Sequence, residues 1–521
     1  MKNSMKKFIS FTIISLLVMS TILTGCANET KKNDAADTPA SKQDTLTVAF
    51  GSDPPTIDPH SSSGSPSVNA LNPVYEALVR YDENGKIVPL LAESWERIDE
   101  LSYKFNLRKG VKFHNGEEMK ASDVLYSMKR ATGPDGVKVS YIMKAIDSEK
   151  CEAVDDYTVI IRTHEPFAPL IGYLPYVGAV IVSEKEFTAD AEKAALNPVG
   201  TGPFKFVEWK KNDRVIYVRN DEYWGEKAKY TNLVIRTIVE ANSRVIELEA
   251  GGVDIAYNIP ANDVKRLEDN PDTKIERNNS TIFEFFGMNT SKEPFNNVEF
   301  RRAIDLAIDE ESIVASVYRG NATYTPGPVT PNMKYFDDSD AKMKYDPEEA
   351  KKILKEIGIP EGATYEVKLN ENKERIDAAT IIQSMLKEVG INLEIKVLET
   401  GTFWDALEQG DSQFFISGWG AVGFPEPDNN IYGPLHSKQI PANNYCYYNN
   451  PELDALLDAS RTTPDGAERE VIVKNVQKMI RSEVPYITYA NPQQVAGMRA
   501  SVMGFKPSPA SSHFVNKAYF E

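Results

Sequence analysis

The chain has 521 residues, which is too many for one hydrophobic core of ordinary size and predicts at least two lobes. A hydrophobic content of 41% beside 26% charged residues is typical of a folded protein and excludes extensive disorder away from the ends. The formal net charge of −17 makes nucleic acid and acidic lipid headgroups poor partners on electrostatic grounds.

The N-terminus has the pattern of an export signal. Three lysines within residues 2–7 precede the apolar run FISFTIISLLVMSTI, which is shorter than the ~20 residues of a bilayer span. The following LTGC resembles a bacterial lipobox, in which Cys26 receives diacylglycerol. We therefore expect residues 1–25 to be a lipoprotein signal peptide and the polar residues 26–43 to be a flexible tether. An ordinary transmembrane anchor is the alternative; with the lipid anchor, the protein lies on the extracytoplasmic face of the cell membrane.

The first elements of the mature chain are predicted to be mainly strands. TLTVAF alternates and predicts a strand, which the prolines of GSDPPTIDP end. LNPVYEALVRYDENGKIVPLLAESWE suggests a helix, a turn at Asn84-Gly85 and a second short helical piece. Two short strands joined by a turn at Arg108 to Gly110 are expected next, followed by a helix that Ser122 caps. CEAVDDYTVIIRTHEPF continues the β-rich character.

The middle of the chain changes in character near Asn289. Before that residue, two strands are expected in FKFVEWKKNDRVIYVR and a third in NLVIRTIV, ahead of the helix ANSRVIELEAGG. After it, FNNVEFRRAIDLAIDEESIVASVYRG predicts a helix that stops at Gly320.

The next stretch predicts a regular alternation of helix and strand. DPEEAKKILKEIGI has Asp346 as N-cap, Pro347 at the first helical position and Gly358 as the stop. TYEVKLNEN, RIDAATIIQSMLKEVG and INLEIKVLE form a strand, helix and strand, which predicts parallel pairing. Two further helices are expected at about 451–461 and 466–483.

The stretch FISGWGAVGFPEPDNN follows this unit at the end of another apolar strand. In α/β sheets, ligands bind outside the ends of the strands. Gly418 and Gly420 allow close approach of a ligand to the backbone, and Trp419 offers a flat apolar wall. The stretch is therefore the candidate binding site, with a core role for Trp419 as the alternative.

No catalytic or redox motif is present in the sequence. Cys-x-x-Cys, His-Glu-x-x-His, Gly-x-Ser-x-Gly and P-loop patterns are absent, and no nucleophile, base and orienting group are spaced as a unit. We expect neither an enzyme nor a cofactor. Cys151 and Cys446 are expected to be separate thiols, because a bridge between lobes would lock them together.

Several tracts together resemble the family 5 extracellular solute-binding proteins of ABC importers, the oligopeptide, dipeptide and nickel class. These tracts are LAESWE, YKFNLRKGVKFHNGEEMKASDVLYSMKR, NPVGTGPFKFVEW, NDEYWG, LEAGGVDIAYNIP, FNNVEFRRAIDLAIDEESIV and GWG followed by PEPDNN. They run in order over essentially the whole mature chain. The closest resemblance is to Gram-positive oligopeptide-binding lipoproteins of the Opp/App kind.

The resemblance implies an α/β protein with the two-lobed type II periplasmic-binding-protein fold (cluster C), mixed sheets, two hinge strands and an extra subdomain. The first lobe would comprise residues 44–86, 200–285 and 495–521, the extra subdomain residues 87–199, and the second lobe residues 286–494. The implied function is a monomeric, lipid-anchored receptor that captures short peptides between the lobes and hands them to a membrane permease. An adhesive or structural protein is not favoured, since no internal repeat is present.

The candidate ligand-binding residues in such a cleft are Gly51, Asp53, Asp58, Gly418, Trp419, Gly420, Ala421, Val422, Glu426 and Asp428. Peptide-binding members of the family usually place an aspartate three residues after the tryptophan to meet the ligand's amino group. Here that position is Val422.

This departure leaves three ways to account for the ligand's amino group. Glu426 or Asp428 supplies the counter-charge, Asp53 or Asp58 supplies it, or the ligand has no free amine there. Glu426 and Asp428 as a solvated turn-capping pair are the alternative to a binding role. A receptor for a nickel or other metal chelate that uses His436, or for another small solute, is the alternative function.

Overall fold

A mixed sheet of twelve strands organises the chain in a computed structural model. The structure describes residues 44–61, 64–82, 85–136, 143–339, 345–420 and 422–521, all of which belong to one unit, Ser41–Glu521. The predicted signal peptide, the tether with Cys26, Asn84 and Ala421 lie outside the described residues. No helix in the described ranges combines the length and the apolar character that a bilayer span requires.

The strands fall into the large sheet, a four-stranded sheet and two hairpins. Their bounds are β1 Thr45–Phe50, β2 Val79–Tyr81, β3 Ile87–Pro89, β4 Ala92–Arg97, β5 Ser102–Leu107, β6 Glu152–Asp155, β7 Thr158–Arg162, β8 Phe204–Lys210, β9 Arg214–Arg219, β10 Asn232–Thr237, β11 Ile255–Tyr257, β12 Thr273–Asn279, β13 Phe283–Met288, β14 Ala322–Thr323, β15 Ala363–Asn370, β16 Ile391–Leu398, β17 Phe414–Trp419, β18 Tyr486–Arg499, β19 Val502–Met503 and β20 Tyr519–Phe520.

The helices lie mainly between strands. Their bounds are α1 Ser65–Leu71, α2 Ala121–Thr132, α3 Leu170–Tyr173, α4 Glu184–Ala189, α5 Ala191–Leu196, α6 Ala241–Glu249, α7 Ala261–Asp269, α8 Val298–Leu306, α9 Glu310–Ile313, α10 Pro347–Glu356, α11 Lys373–Glu388, α12 Thr400–Glu408, α13 Pro427–Leu435, α14 Pro451–Thr462 and α15 Ala467–Glu483.

The large sheet has the order β16-β15-β17-β13-β18-β11-β1-β10-β9-β8, and β12 and β14 also pair with β18. The long strand β18 joins its two halves, because Tyr486 to Ala490 pair with β13 while Gln493 to Arg499 pair with β12. The chain also passes from one half of the sheet to the other between the end of β12 and the start of β13. Two adjacent antiparallel segments therefore connect the halves.

The buried apolar side chains form two core regions. The first core is built from residues between 46 and 267 and between 495 and 518, and it contains the four-stranded sheet β4-β5-β7-β6. The second core is built from residues between 283 and 490. Phe424 is the exception, because its side chain belongs to the first core although the strand before it, β17, and the helix after it, α13, belong to the second. The exact boundaries of the predicted lobes and of the extra subdomain stay a prediction.

Most predicted elements are confirmed where local signals are strong. The strands β1, β8, β9 and β10 and the helices α6, α11, α14 and α15 form at the predicted places. Helix α10 begins after Asp346, whose carboxylate accepts the Glu349 backbone N–H at 3.0 Å. Strands β15 and β16 are parallel, as the strand, helix and strand pattern predicts. Cys151 and Cys446 are free thiols, as predicted.

Four local predictions are wrong. The helix expected at the start of LNPVYEALVRYDENGK is absent, because its end forms β2, which pairs with β3. The stretch AESWER forms β4 instead of a helical piece, because it finds a partner in β5, where Trp95 lies opposite Phe105. One strand, β5, forms before the turn that begins at Arg108, whereas the predicted second strand is reduced to an isolated bridge between Lys112 and Glu118. Helix α2 starts at Ala121, so the predicted cap Ser122 lies within its first turn.

The long helix predicted after Asn297 is interrupted. Helix α8 ends at Leu306, and Asp309 caps a new helix by accepting the Ser312 backbone N–H at 3.2 Å. The apolar periodicity continues through the break, but a good N-cap residue favours a new start. Gly320 follows Arg319, and both have positive φ, at 88° and 50°.

Candidate functional site

Strands pair with the end of β17 on one edge only. On one side, β17 pairs with β13 along its whole length, from Phe414 to Trp419. On the other side, the described strands pair with it only through β15, at Phe414 and Phe415. Ile416 and Ser417 are nevertheless buried, so an extended chain can pair with this edge at the half-buried Gly418 and Trp419.

The glycines beside Trp419 are required by the protein itself. A methyl group at Gly418 would overlap the Glu284 carboxylate. Arg375 holds that carboxylate through two hydrogen bonds, from Nε at 2.8 Å and from Nη2 at 3.1 Å. A methyl group at Gly420 would lie 2.8 Å from the Ile282 Cα atom. Close packing within the chain is thus sufficient to explain why glycine occupies positions 418 and 420.

The Trp419 side chain is half-buried. Its indole N–H donates to the Asn429 carbonyl at 2.9 Å, and a Cβ atom at Gly433 would lie 3.0 Å from its ring. One edge of the indole is thereby fixed against α13. Trp419 packs on the surface of the second core and is not one of its fully buried members.

The crossing loop, residues 422–426, leaves the second core and contacts the first. Val422 is half-buried and packs against the first core. Gly423 has φ of 91°, and its backbone N–H donates to the Ala510 carbonyl at 2.7 Å. The segment after Trp419 therefore lies where the two cores meet.

Phe424 anchors the crossing loop in the first core. Its ring meets Tyr173 at 4.9 Å and Tyr176 at 5.4 Å, both edge-on. Such edge contacts are favourable beyond simple burial of area. The ring is 1% exposed, so the contact is fully shielded from water.

Asp428 is buried in an ion pair with Arg461. The Arg461 Nε and Nη2 atoms donate to its two oxygens at 2.8 and 2.9 Å, and the Tyr173 hydroxyl donates at 2.7 Å. Burial alone would raise the pKa of the Asp428 carboxyl, but Arg461 and these hydrogen bonds outweigh it and lower the pKa. Asp428 is therefore an ionised carboxylate with all its neighbours inside the protein.

Glu426 is equally buried but less well satisfied. It is 1% exposed and accepts one hydrogen bond from Arg469 Nη2 at 2.8 Å. Its second oxygen lies against Gly172, where a side chain would overlap it. Burial raises the pKa of Glu426 even though Arg469 opposes the shift. The structure thus contradicts the alternative of a solvated, turn-capping pair, because both carboxylates are buried beside arginines.

The predicted residues near β1 make their contacts within the first core. Arg130 donates to both oxygens of Asp58 at 2.8 and 2.6 Å. Asp53 accepts from the Trp209 indole N–H, 3.3 Å from both carboxylate oxygens, and from the Thr237 hydroxyl at 3.1 Å. Asp58 is therefore neutralised by an arginine, whereas these partners of Asp53 carry no charge.

Gly51 follows β1 at the carboxyl end of its parallel pairs with β10 and β11. A methyl group there would lie 3.0 Å from Arg244 Nη1. Beside it, Phe50 contacts the Tyr257 ring at 4.4 Å, and His513 stacks on Tyr257 at 4.2 Å. This aromatic group forms the strand-end surface of the first core.

Several residues of the site were missed by the sequence reasoning. They are Tyr173, Glu284, Arg375, Phe424, Arg461, Arg469, Ala510 and His513. Most lie far along the chain from the residues they contact, and no local pattern marks them. The phenylalanine was the one with a visible signal, since it stands between Gly423 and Pro425 in a stretch already singled out.

His436 is buried with both ring nitrogens engaged. Nδ1 accepts the Lys438 backbone N–H at 3.0 Å, and Nε2 lies 3.1 Å from an Asp458 oxygen. Burial lowers the pKa of His436. Within the described ranges, no three His, Cys, Asp or Glu side chains are grouped to hold a metal. The geometry gives no support to a metal-chelate role for His436.

Comparison with known proteins identifies similar chains. The model of the bacterial extracellular solute-binding proteins, family 5 Middle, matches residues 86–442. The chain is 30% identical over 474 residues to the glutathione-binding protein GsiB of Pectobacterium atrosepticum, with 89% of this chain and 91% of that protein covered.

Two solved structures combine this likeness with bound peptides. The periplasmic binding protein DppA from Helicobacter pylori, in complex with the peptide STSA, has a TM-score of 0.77 at 30% identity, covering 92% of this chain and 98% of its own. The oligopeptide-binding protein AppA from Bacillus subtilis, in complex with a nonapeptide, has a TM-score of 0.75 at 26% identity, covering 92% and 99%.

Proposed function

This chain belongs to the family 5 bacterial extracellular solute-binding proteins, and we propose that it captures short peptides between its two lobes for delivery to the permease of an ABC importer. As a member of that family it is a solute-binding protein and not an enzyme, as expected. The expected type II periplasmic-binding-protein fold is confirmed by solved structures that share its mixed α/β architecture.

One observation carries the peptide proposal. The β17 edge that lacks a strand partner ends at a half-buried tryptophan, and the loop that follows docks on the other core. An extended peptide can add to the end of that edge and lie against the indole. Each backbone hydrogen bond formed in this way contributes about 0.5 to 1.5 kcal/mol net without reading side chains.

The predicted binding residues take two roles in this proposal. The second-core wall consists of Gly418, Trp419 and Gly420, and the first-core wall contains Gly51 and Asp53, with Val422 packed against the first core. Ala421 lies outside the described residues and stays a predicted binding residue. Asp58, Glu426 and Asp428 support these walls through their arginines. Ligand contact with both walls favours the arrangement in which the crossing loop is docked.

The function is tested by titrating the purified protein with mixed short peptides in a calorimeter. Trp419→Ala is expected to weaken peptide binding by about tenfold or more, since central aromatic residues dominate such sites. Trp404→Ala is the matched control, because Trp404 is also half-buried in the second-core region but packs against Phe403 and Tyr445. A protein that ignores all peptides yet binds another solute would contradict the proposal.

We further propose that the protein works as a monomer held to the extracytoplasmic face of the membrane by a lipid on Cys26. The lipobox-like LTGC and the polar stretch after it support this anchor. Expressed in a bacterium, the wild-type chain is expected in the membrane fraction, and Cys26→Ala is expected to release it or block its processing. An unchanged membrane fraction for the variant would argue against the anchor.

A further inference from the structure

A small cleft lies in the first core, and none of the residues assigned to the peptide site lines it. Its volume of about 50 Å³ holds roughly four water-sized groups. Apolar side chains form much of its lining, among them Val79, Leu90 and Val515. Phe514 also lines the cleft and is 47% exposed, so the cleft reaches the protein surface. This space suits a small guest with an apolar part.

Hydrogen bonds hold the C-terminal wall of the cleft in place. The His513 backbone N–H donates to the Asn69 side-chain oxygen at 2.7 Å. The Tyr230 hydroxyl donates to the Val515 carbonyl at 3.0 Å. Both His513 and Val515 line the cleft. The cleft is therefore preformed, as small-molecule sites usually are, and a guest does not have to order this wall.

Glu76 lines the cleft, but its carboxylate is already satisfied by the protein. The side chain is 6% exposed. One oxygen accepts from the Thr201 hydroxyl and from the Trp224 indole N–H, both at 2.9 Å. The other oxygen accepts from the Tyr223 hydroxyl at 2.7 Å. These donors occupy both oxygens, so Glu76 belongs to the internal hydrogen bonding of the first core.

Arg80 lines the same cleft and has unused hydrogen-bond donors. It is half-buried, and its guanidinium has no hydrogen-bond or ion-pair partner among the described residues. Its attraction to Glu76 acts at longer range and opposes the rise that burial causes in the pKa of Glu76. A guanidinium presents five N–H donors in a planar fork that matches two carboxylate oxygens. The cleft thus combines free donors with apolar walls.

We propose that this cleft binds the anion of a small carboxylic acid. The carboxylate pairs with Arg80 through two charge-assisted hydrogen bonds, and the short apolar chain lies on Val79, Leu90 and Val515. Inorganic phosphate fits less well, because its further oxygens would face apolar side chains without donors. Such a site is additional to the proposed peptide site and does not depend on it.

Calorimetric titration of the wild-type protein with sodium propionate tests the cleft, with the ionic strength held constant and propionamide as the uncharged counterpart. We expect saturable binding of propionate and at least about tenfold weaker binding of propionamide. Inorganic phosphate is also expected to bind more weakly than propionate. Absence of saturable propionate binding, equal binding of propionamide, or tighter binding of phosphate would each overturn the proposed site.

Variants assign the binding to Arg80. Arg80→Gln removes the charge and the fork, and it is expected to weaken propionate binding by about tenfold or more. Arg236→Gln is the matched control, because Arg236 is also half-buried but is paired with Glu247 at 2.7 Å outside the cleft. It is expected to leave propionate binding unchanged.

Thermal unfolding of Arg80→Gln checks that the variant is folded. Peptide binding, which tests the proposed function, is measured separately and does not enter this outcome. A folded Arg80→Gln variant that binds propionate as tightly as the wild-type protein would overturn the proposed site.

Discussion

Glu426 and Asp428 are close in sequence and equally buried, yet their pKa values shift in opposite directions. Both are carboxylates at most 1% exposed, and both are paired with an arginine. The pKa of Asp428 is lowered because two arginine donors and a tyrosine outweigh burial, whereas burial raises the pKa of Glu426, which has one such donor. Arg469 is also shared with Asp465, whose charge adds to the rise in the pKa of Glu426. The donors and the other charges around each carboxylate together set its protonation preference.

This contrast predicts unequal costs for neutral replacements. Asp428→Asn leaves the half-buried Arg461 beside an amide and is expected to lower the free energy of unfolding by about 3 kcal/mol, the low end for a broken buried pair. Glu426→Gln is expected to cost clearly less, because its environment already disfavours the charged form. Tyr173→Phe removes one hydrogen bond to Asp428 and is expected to cost about 0.5 to 1.5 kcal/mol.

Urea denaturation near neutral pH measures all three variants. Since the pKa of Asp428 is lowered, its stabilising contribution is present above the usual aspartate range and is lost as the pH falls through the folded-state value. Equal losses for Asp428→Asn and Glu426→Gln at neutral pH would contradict this account.

At the scale of elements, β18 and its partners connect the two cores. The strand runs from the second core into the first, and the neighbouring chain crosses between β12 and β13. Asn491 sits between these segments, is 0% exposed, and donates to the carbonyls of Ser280 and Ile282 at 2.8 and 2.6 Å. The Asn491 amide thus supplies hydrogen-bond donors to two backbone carbonyls between β12 and β13. It does so where β18 stops pairing with β13 and begins to pair with β12.

Asn491→Ala is expected to destabilise the protein by about 1 to 3 kcal/mol for each carbonyl that it leaves buried without a donor. Gln493→Ala is the control two residues away, because its amide donates only to the half-buried Asn279 side chain, at 3.0 Å. Thermal unfolding measures both variants. The expectation fails if the Gln493 variant loses as much stability as the Asn491 variant.

At the scale of the whole molecule, buried histidines couple stability to pH. Burial lowers the pKa of His513 to about 3, and burial followed by Arg130 lowers the pKa of His60 to about 4. In the unfolded chain both bind a proton near pH 6.5, whereas the folded protein resists it. Their stabilising contribution is therefore present above about pH 6.5 and is lost as the pH falls toward the folded-state values.

His513→Gln is expected to reduce the pH dependence of stability. Each such histidine contributes about 1.4 kcal/mol per pH unit to the slope of unfolding free energy between about pH 6 and pH 4. Glutamine is neutral and can still lie on Tyr257. Urea denaturation at several pH values measures the slope for wild type and variant, and identical slopes would show that His513 does not titrate on unfolding.

Local chemistry made much of the fold readable from the sequence. Alternation predicted β1 and β8 to β10, the Asp346 cap and Pro347 predicted the start of α10, and a strand, helix and strand pattern predicted the parallel pair β15 and β16. The glycine-flanked Trp419 was also recognisable, because a large aromatic between glycines at a strand end is unusual for a core. These signals extend over only a few residues, so they can be recognised in the sequence without knowing the tertiary contacts.

Only the tertiary structure decided which strands pair and which distant side chains contact one another. AESWER became a strand because β5 was available to it, and the acids of the crossing loop found arginines 33 and 43 residues further along the chain. Phe424 lies in the first core, although β17 before it and α13 after it belong to the second. Pairing, burial and charge compensation depend on contacts between distant segments, and the free energy of such contacts is absent from any local pattern.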